Sequence, residues 1–215
     1  MSFFIENTGG DFERVPVGMH LSRCYRLIDL GTQETTYMGA VKKQPKLMLG
    51  WEIHGMNEDG TPIKMSDGRP FAIFKNYTNS LDPRGNLFKD IQSWRGRPFT
   101  PEEAVKFDLD TVLGHFCMVS IVESTKEGKT YTNVDSVTPV PIQIKKLGLP
   151  EAVNPTQSFY LGNPDMKMFE TFSNNLKTKI QKSPEWARFT AKTAAPAKAA
   201  TPASTFSDMD DDIPF

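Results

Sequence analysis

"NLFKDIQSW", residues 86–94, decides the fold. Leu87, Ile91 and Trp94 recur at helical spacing, and Gly96 just beyond them suits a helix end. The segments on either side carry the period of strands instead. "KLMLGWEIHG" (46–55) sets Leu47, Leu49, Trp51 and Ile53 against Lys46, Met48, Gly50 and Glu52, the pattern of a half-buried strand with Trp51 in the core. "HLSRCYRLIDL" (20–30) reads as a strand before it, and the Thr-, Gly- and Lys-rich stretch 31–45 as the loop between them. "PFAIFKNYTNSL" (70–81) is a third strand, separated from the second by an Asp59-Gly60 turn signal.

After the helix, "TPEEAVKF" opens a second one, with Thr100 as cap, Pro101 in the first turn and Glu103 closing a capping box. Residues 115–124 and 130–140 are the fourth and fifth strands, split by the turn "TKEGK". Three strands, a helical segment and two more strands is the order of an OB-fold, a five-stranded Greek-key barrel that commonly binds single strands or oligosaccharides. The expectation is a mainly β domain over residues 1–150, with Leu87, Ile91 and Trp94 plugging the barrel. An extension over 151–189 follows, where Asn163 and Pro164 start a helix whose stripe of Phe169, Phe172, Leu176 and Ile180 docks on the barrel or meets a partner.

Composition narrows the classes. The 215 residues hold 38% hydrophobic residues in short runs, too short for a membrane-spanning helix. The start "MSFFIENTGGDFE" lacks a basic region and carries acids early, so it does not read as a signal peptide. Cys24 and Cys117 sit alone in apolar strands and read as buried free thiols of a cytoplasmic protein. Net charge is −1, but two of the 25 basic and four of the 26 acidic residues fall after position 189, so the body is near neutral and the end is acidic. Any basic surface has to be local.

The end has two parts. Residues 190–207 are nearly all Ala, Thr, Pro, Ser and Lys, the composition of a flexible linker. Residues 208–215, "DMDDDIPF", put Asp208, Asp210, Asp211 and Asp212 before Ile213, Pro214 and Phe215. An acidic solubilising tail explains the aspartates and not the terminal apolar group. A partner pocket that buries Phe215, with cations for its carboxylate and the aspartates, explains both.

"MDDDIPF" (209–215) resembles the C-terminal tip of bacterial single-stranded DNA-binding proteins, in which an OB-fold, a low-complexity linker and an acidic peptide ending Ile-Pro-Phe follow one another. The body is longer than in the bacterial host protein and has a larger insertion between strands three and four. Residues 77–114 are similar to phage-encoded proteins of the single-stranded DNA-binding and replication type. The resemblance implies a phage-borne, sequence-independent coat for single-stranded DNA in replication, recombination and repair. Its tip would recruit the enzymes of those processes, and neither catalysis nor a cofactor is implied.

Single-strand binders pair cations that track phosphates with aromatics that stack on bases. Lys42, Lys43 and Lys46 lie in and beside the first loop, Arg69 and Lys75 around strand three, and Arg95 and Arg97 around the helix end. Tyr37, Phe74, Tyr77 and Tyr131 are the aromatics available to stack, and alternation puts Lys75 and Tyr77 on one face of strand three. A homo-oligomer contact through the stripe of the C-terminal helix is a further expectation. Two other readings stay open: an interaction protein that mimics the host tip without binding DNA, and a tail-recruited DNA-modifying enzyme. The second would need Asp108 and Asp110 as metal carboxylates, although a helix cap accounts for them more simply. His20, His54 and His115 make no metal-binding spacing.

Overall fold

A computed structural model describes residues 13–194 apart from 38, 58 and 127, with the backbone alone at residues 37, 193 and 194. The fold is mainly β. Strands β1 (Gly18–Tyr37), β2 (Ala40–Ile53), β3 (Ala72–Thr78), β4 (Phe116–Lys126) and β5 (Lys129–Thr138) pair antiparallel in the order β3-β2-β1-β4-β5. A short β6 (Gln157–Phe159) runs parallel to β1 along residues 26–28, where the β4 pairing has ended. Helices α1 (Asn86–Arg95), α2 (Pro101–Val105), α3 (Ile142–Leu147), α4 (Met166–Glu170), α5 (Asn174–Gln181) and α6 (Pro184–Ala194) complete the order.

The helical reading of 86–94 holds. Leu87, Ile91 and Trp94 are buried, and Trp94 Nε1 donates to the Phe116 carbonyl at 3.0 Å. β3 and β5 form the two ends of the sheet path, and α1 packs against both. Lys75 Nζ spans the same gap, reaching Asp90 of α1 at 2.7 Å and the Asp135 carbonyl of β5 at 3.0 Å. Trp51, Leu47, Leu49 and Ile53 face this core with Cys24 and Cys117, both free thiols. Burial pushes the Cys24 thiol up to about 12, so it is inert packing material.

The expected first loop is strand. Residues 32–37 and 40–45 continue β1 and β2 as an exposed two-stranded arm. Nothing there alternates in polarity because neither face is buried; β-branched Thr32, Thr35 and Thr36 and continued ladder pairing sustain it. The expected single C-terminal helix is three short ones. Asp165 caps α4 rather than Asn163, Ser173 caps α5, and α6 runs to Ala194, four residues past the expected start of the linker.

These helices cover the outer side of the sheet. Ile28, Leu30 and Met48 point away from the first core and build a second one with Phe159, Leu161, Phe169, Phe172, Ile180 and Trp186. Phe169 stacks on Trp186 with ring centroids 4.3 Å apart. Glu185 accepts from the Thr32 N–H and hydroxyl at 2.8 and 2.7 Å, which fixes α6 at the base of the arm. Gly31 is required here: its φ is +67°, and a Cβ would fall 2.5 Å from Ser183 Cβ at the α5–α6 corner.

The lead-in to β6 is anchored by Glu52, fully buried opposite Arg23. Its carboxylate receives Arg23 Nη1 at 3.1 Å, the Asn154 N–H and side-chain amide at 2.7 Å each, and the Val153 N–H at 3.2 Å. His54 Nε2 lies 3.1 Å away. Burial alone would raise the Glu52 carboxyl; the Asn154 N–H, His54, the Asn154 amide and the Val153 N–H outweigh it and hold the group below the usual range.

Removing this carboxylate strands Arg23 and two backbone donors. Glu52→Ala is expected to lose about 3–5 kcal/mol in urea unfolding at pH 7. A depressed folded pKa means the stabilisation is complete above the unfolded value and disappears as pH falls through the folded one. The gap between wild type and Glu52→Gln is therefore expected to close as unfolding is repeated at progressively more acidic pH.

Candidate nucleic-acid interface

Strand register decides what the outer sheet face offers. Arg26 pairs with Gly50, and Gly50 with Phe74, so one row crosses β1, β2 and β3 on the side away from the first core. Gly50 is the floor. A Cβ there would lie 2.6 Å from the Phe74 ring, so the ring occupies the space a side chain would fill, and Phe74 remains 41% exposed. Arg26 stands beside it, half-buried. Its guanidinium lies 5.3 Å from the Tyr25 ring centroid, 5.8 Å from Phe74 and 6.0 Å from Phe172, while Nε donates to Gln157 Oε1 at 2.6 Å. A bulge between Cys24 and Arg26 shifts the alternation and brings Tyr25 within reach of Phe74, 6.4 Å between centroids.

The second core occupies the next row, Ile28 and Met48, and the Glu52 cluster the previous one. Arg26, Gly50 and Phe74 thus form a row between two covered ones, with Phe74 exposed, Arg26 half-buried and Gly50 buried beneath the ring. Two hairpins project beyond it. The β1–β2 arm extends past Gly31, and the β4–β5 hairpin extends past Ile121, which pairs with Gly18 at the opposite end of β1. A flat ring beside a held guanidinium offers a stacking surface and a cation, which is the chemistry a base and its phosphate require.

The sequence candidates scatter around this strip. Lys42 and Lys43 are exposed on the arm, Lys43 3.1 Å from Glu34, and Tyr37 is at the arm's end. Lys46 is half-buried, donating to Thr78 Oγ1 at 2.7 Å and Gln44 Oε1 at 3.0 Å. Tyr131, 48% exposed, lies on the β4–β5 hairpin. Arg69 is exposed and held by Asp67 at 2.6 Å in a turn before β3. Arg95 and Arg97 share Glu103 at the far end of α1.

Tyr77 and Lys75 do share a face, but it is the inner one. Tyr77 lies opposite Leu47, is 2% exposed, and donates to Asp90 Oδ2 at 2.7 Å; its ring is not available to stack on a base. Lys75 is spent on Asp90 and Asp135. The outward aromatic is Phe74, just before Lys75 on the other face of β3. The position of Arg26 is not legible in the sequence, because the bulge that redirects it leaves no mark in the apolar pattern.

Asp108 caps a short 3-10 helix (Leu109–Val112), accepting from the Asp110 N–H at 3.0 Å, and Asp110 accepts from Ser158 Oγ at 2.7 Å. Among the described residues no group of three or more metal-binding side chains converges. No helix among them is long and apolar enough to cross a membrane. Asp208, Asp210, Asp211, Asp212, Ile213, Pro214 and Phe215 lie outside the described residues.

The Gly50–Phe74 contact is testable in isolation. Gly50→Ala is expected to cost about 1–3 kcal/mol in the wild-type background by overpacking against Phe74. In a Phe74→Ala background the same change is expected to be nearly neutral, a coupling that a double-mutant cycle of urea unfolding reads directly. No protein-family model matches the chain, and the search of curated proteins finds no match.

Proposed function

We propose that this chain is a sequence-independent single-stranded DNA-binding protein built on an OB-fold. The row Arg26–Gly50–Phe74, running across three strands between two projecting hairpins and exposing the Phe74 ring beside the Arg26 guanidinium, carries the reading. OB-folds use their strand 2–3 face and the loops joining strands 1–2 and 4–5 for oligonucleotides, and in this reading the row and the two hairpins serve as that face and those loops. The strand order, and α1 packed between β3 and β5, agree with that barrel.

In this reading a base stacks on Phe74, Arg26 meets the adjacent phosphate, and Tyr131 and the arm lysines extend the path. None of these groups reads base edges, so binding is indifferent to sequence and sensitive to salt. The acidic tip, which resembles that of bacterial single-stranded DNA-binding proteins, then recruits replication, recombination or repair enzymes in the cytoplasm of the host. A near-neutral body keeps a second reading in view, a tip mimic without DNA binding.

Fluorescence anisotropy of labelled oligo-dT against duplex DNA, over a salt series, tests this. Tight low-salt binding to oligo-dT, weak binding to duplex and a steep salt dependence are expected. Phe74→Ala is expected to weaken oligo-dT binding by about 1–3 kcal/mol, the contribution of one stacked base, with little loss of fold. Absence of oligo-dT binding at low salt favours the tip mimic.

A further inference from the structure

A second polar site lies at the other end of α1. A pocket of about 480 Å³ opens there between α1, the α2 region, the start of β4 and α3. It includes none of Arg26, Gly50 or Phe74 in its lining. Trp94, Phe107 and Phe116 form apolar walls, and Arg95, Arg97 and Lys145 supply cations.

The charge count there is unbalanced. Glu103 is the only carboxylate in the lining. Its Oε1 takes Arg95 Nη2 and Arg97 Nη2, and its Oε2 takes Arg97 Nη1 and the Thr100 N–H, each at 3.0 Å. One saturated carboxylate therefore serves two guanidiniums. Arg95 Nη1 is buried without a hydrogen-bond partner among the described residues. Arg95 is held in place from below, its guanidinium 4.8 Å from the Phe99 centroid and 5.0 Å from Phe107. Lys145, exposed in the last turn of α3, meets no carboxylate among the described residues. Three cations against one anion leave a surplus of two positive charges beside aromatic walls.

We infer that this pocket binds a phosphorylated nucleoside, with the phosphate at Arg97 and Lys145 and the base against Phe107 and Phe116. The volume suits one nucleotide and excludes a folded chain. A phosphate accepts from Lys145 Nζ and shares the Arg97 guanidinium with Glu103, and the rings provide the apolar complement that a bare anion would not need. A free mononucleotide and the phosphorylated end of a strand share this chemistry.

Isothermal titration of the full chain with dTMP, with inorganic phosphate, and with dT oligonucleotides bearing a 5′-phosphate or a 5′-hydroxyl tests it. Wild type is expected to bind dTMP or the 5′-phosphorylated end more tightly than inorganic phosphate. Lys145→Glu is expected to weaken that binding about ten-fold or more, the loss of one charge-assisted contact. Oligo-dT anisotropy of the same variant is expected to stay at the wild-type level, because Lys145 is not on the Arg26–Phe74 row. A gain from the 5′-phosphate that Lys145→Glu abolishes assigns the site to strand ends, and binding of dTMP alone assigns it to free nucleotide. The inference is overturned if wild type binds neither, if phosphate binds as well as dTMP, or if Lys145→Glu binds dTMP and the phosphorylated end unchanged. None of these results depends on whether oligo-dT binds elsewhere.

Discussion

The Glu52 carboxylate is the constraint on which the arrangement of this protein depends. A fully buried carboxylate is tolerated only when its charge and lone pairs are met, and here a guanidinium, an imidazole, an amide and two backbone N–H groups converge on it. Arg23 comes from β1 and Glu52 from β2, so the pair fixes the register of the central ladder. Val153 and Asn154 come from the segment that leads into β6, so the same group fixes where the C-terminal extension begins to cross the sheet. From there β6 lies along β1, and α4, α5 and α6 fall over Ile28, Leu30 and Met48.

This placement determines what the outer face can do. β1 and β2 are buried on both sides for part of their length, by the first core within and by the aromatic cluster without. The covered rows flank Arg26, Gly50 and Phe74, and Phe172 of the extension contributes a third ring around the Arg26 guanidinium. The extension thus frames the strip as well as stabilising the sheet. The strip is small, and the body around it is near neutral in charge.

Much of the fold was legible in the sequence. The helical triplet Leu87, Ile91 and Trp94 was readable because burial of one face writes itself into residue order. The run 46–55 was readable as a strand with Leu47, Leu49, Trp51 and Ile53 inward, but it is not half-buried, because Met48 and Glu52 on its other face are buried as well. The capping box at Thr100 was equally readable, because it is a local hydrogen-bond device. The arm was not, since a two-sided exposed ribbon has no apolar period. The three-helix division of the extension was missed because Asp165 and Ser173 act within an apolar stripe that also suits one long helix. At the candidate site, Phe74 is readable as an aromatic, but its pairing with Arg26 is hidden by a bulge, and the shared face of Lys75 and Tyr77, correct in itself, is the inner one that Ile73 also occupies. Residue type suggested the chemistry; only register could say which residues meet.

Ultraviolet cross-linking of the full chain to oligo-dT carrying 5-iodo-deoxyuridine, with the adducts located by peptide mass spectrometry, tests the central claim most directly. The account expects adducts on the peptides that hold Phe74 and Tyr131, lost in high salt and absent with duplex DNA. Adducts confined to the outer surfaces of α4, α5 and α6, or no adduct on the Phe74 peptide, would contradict it.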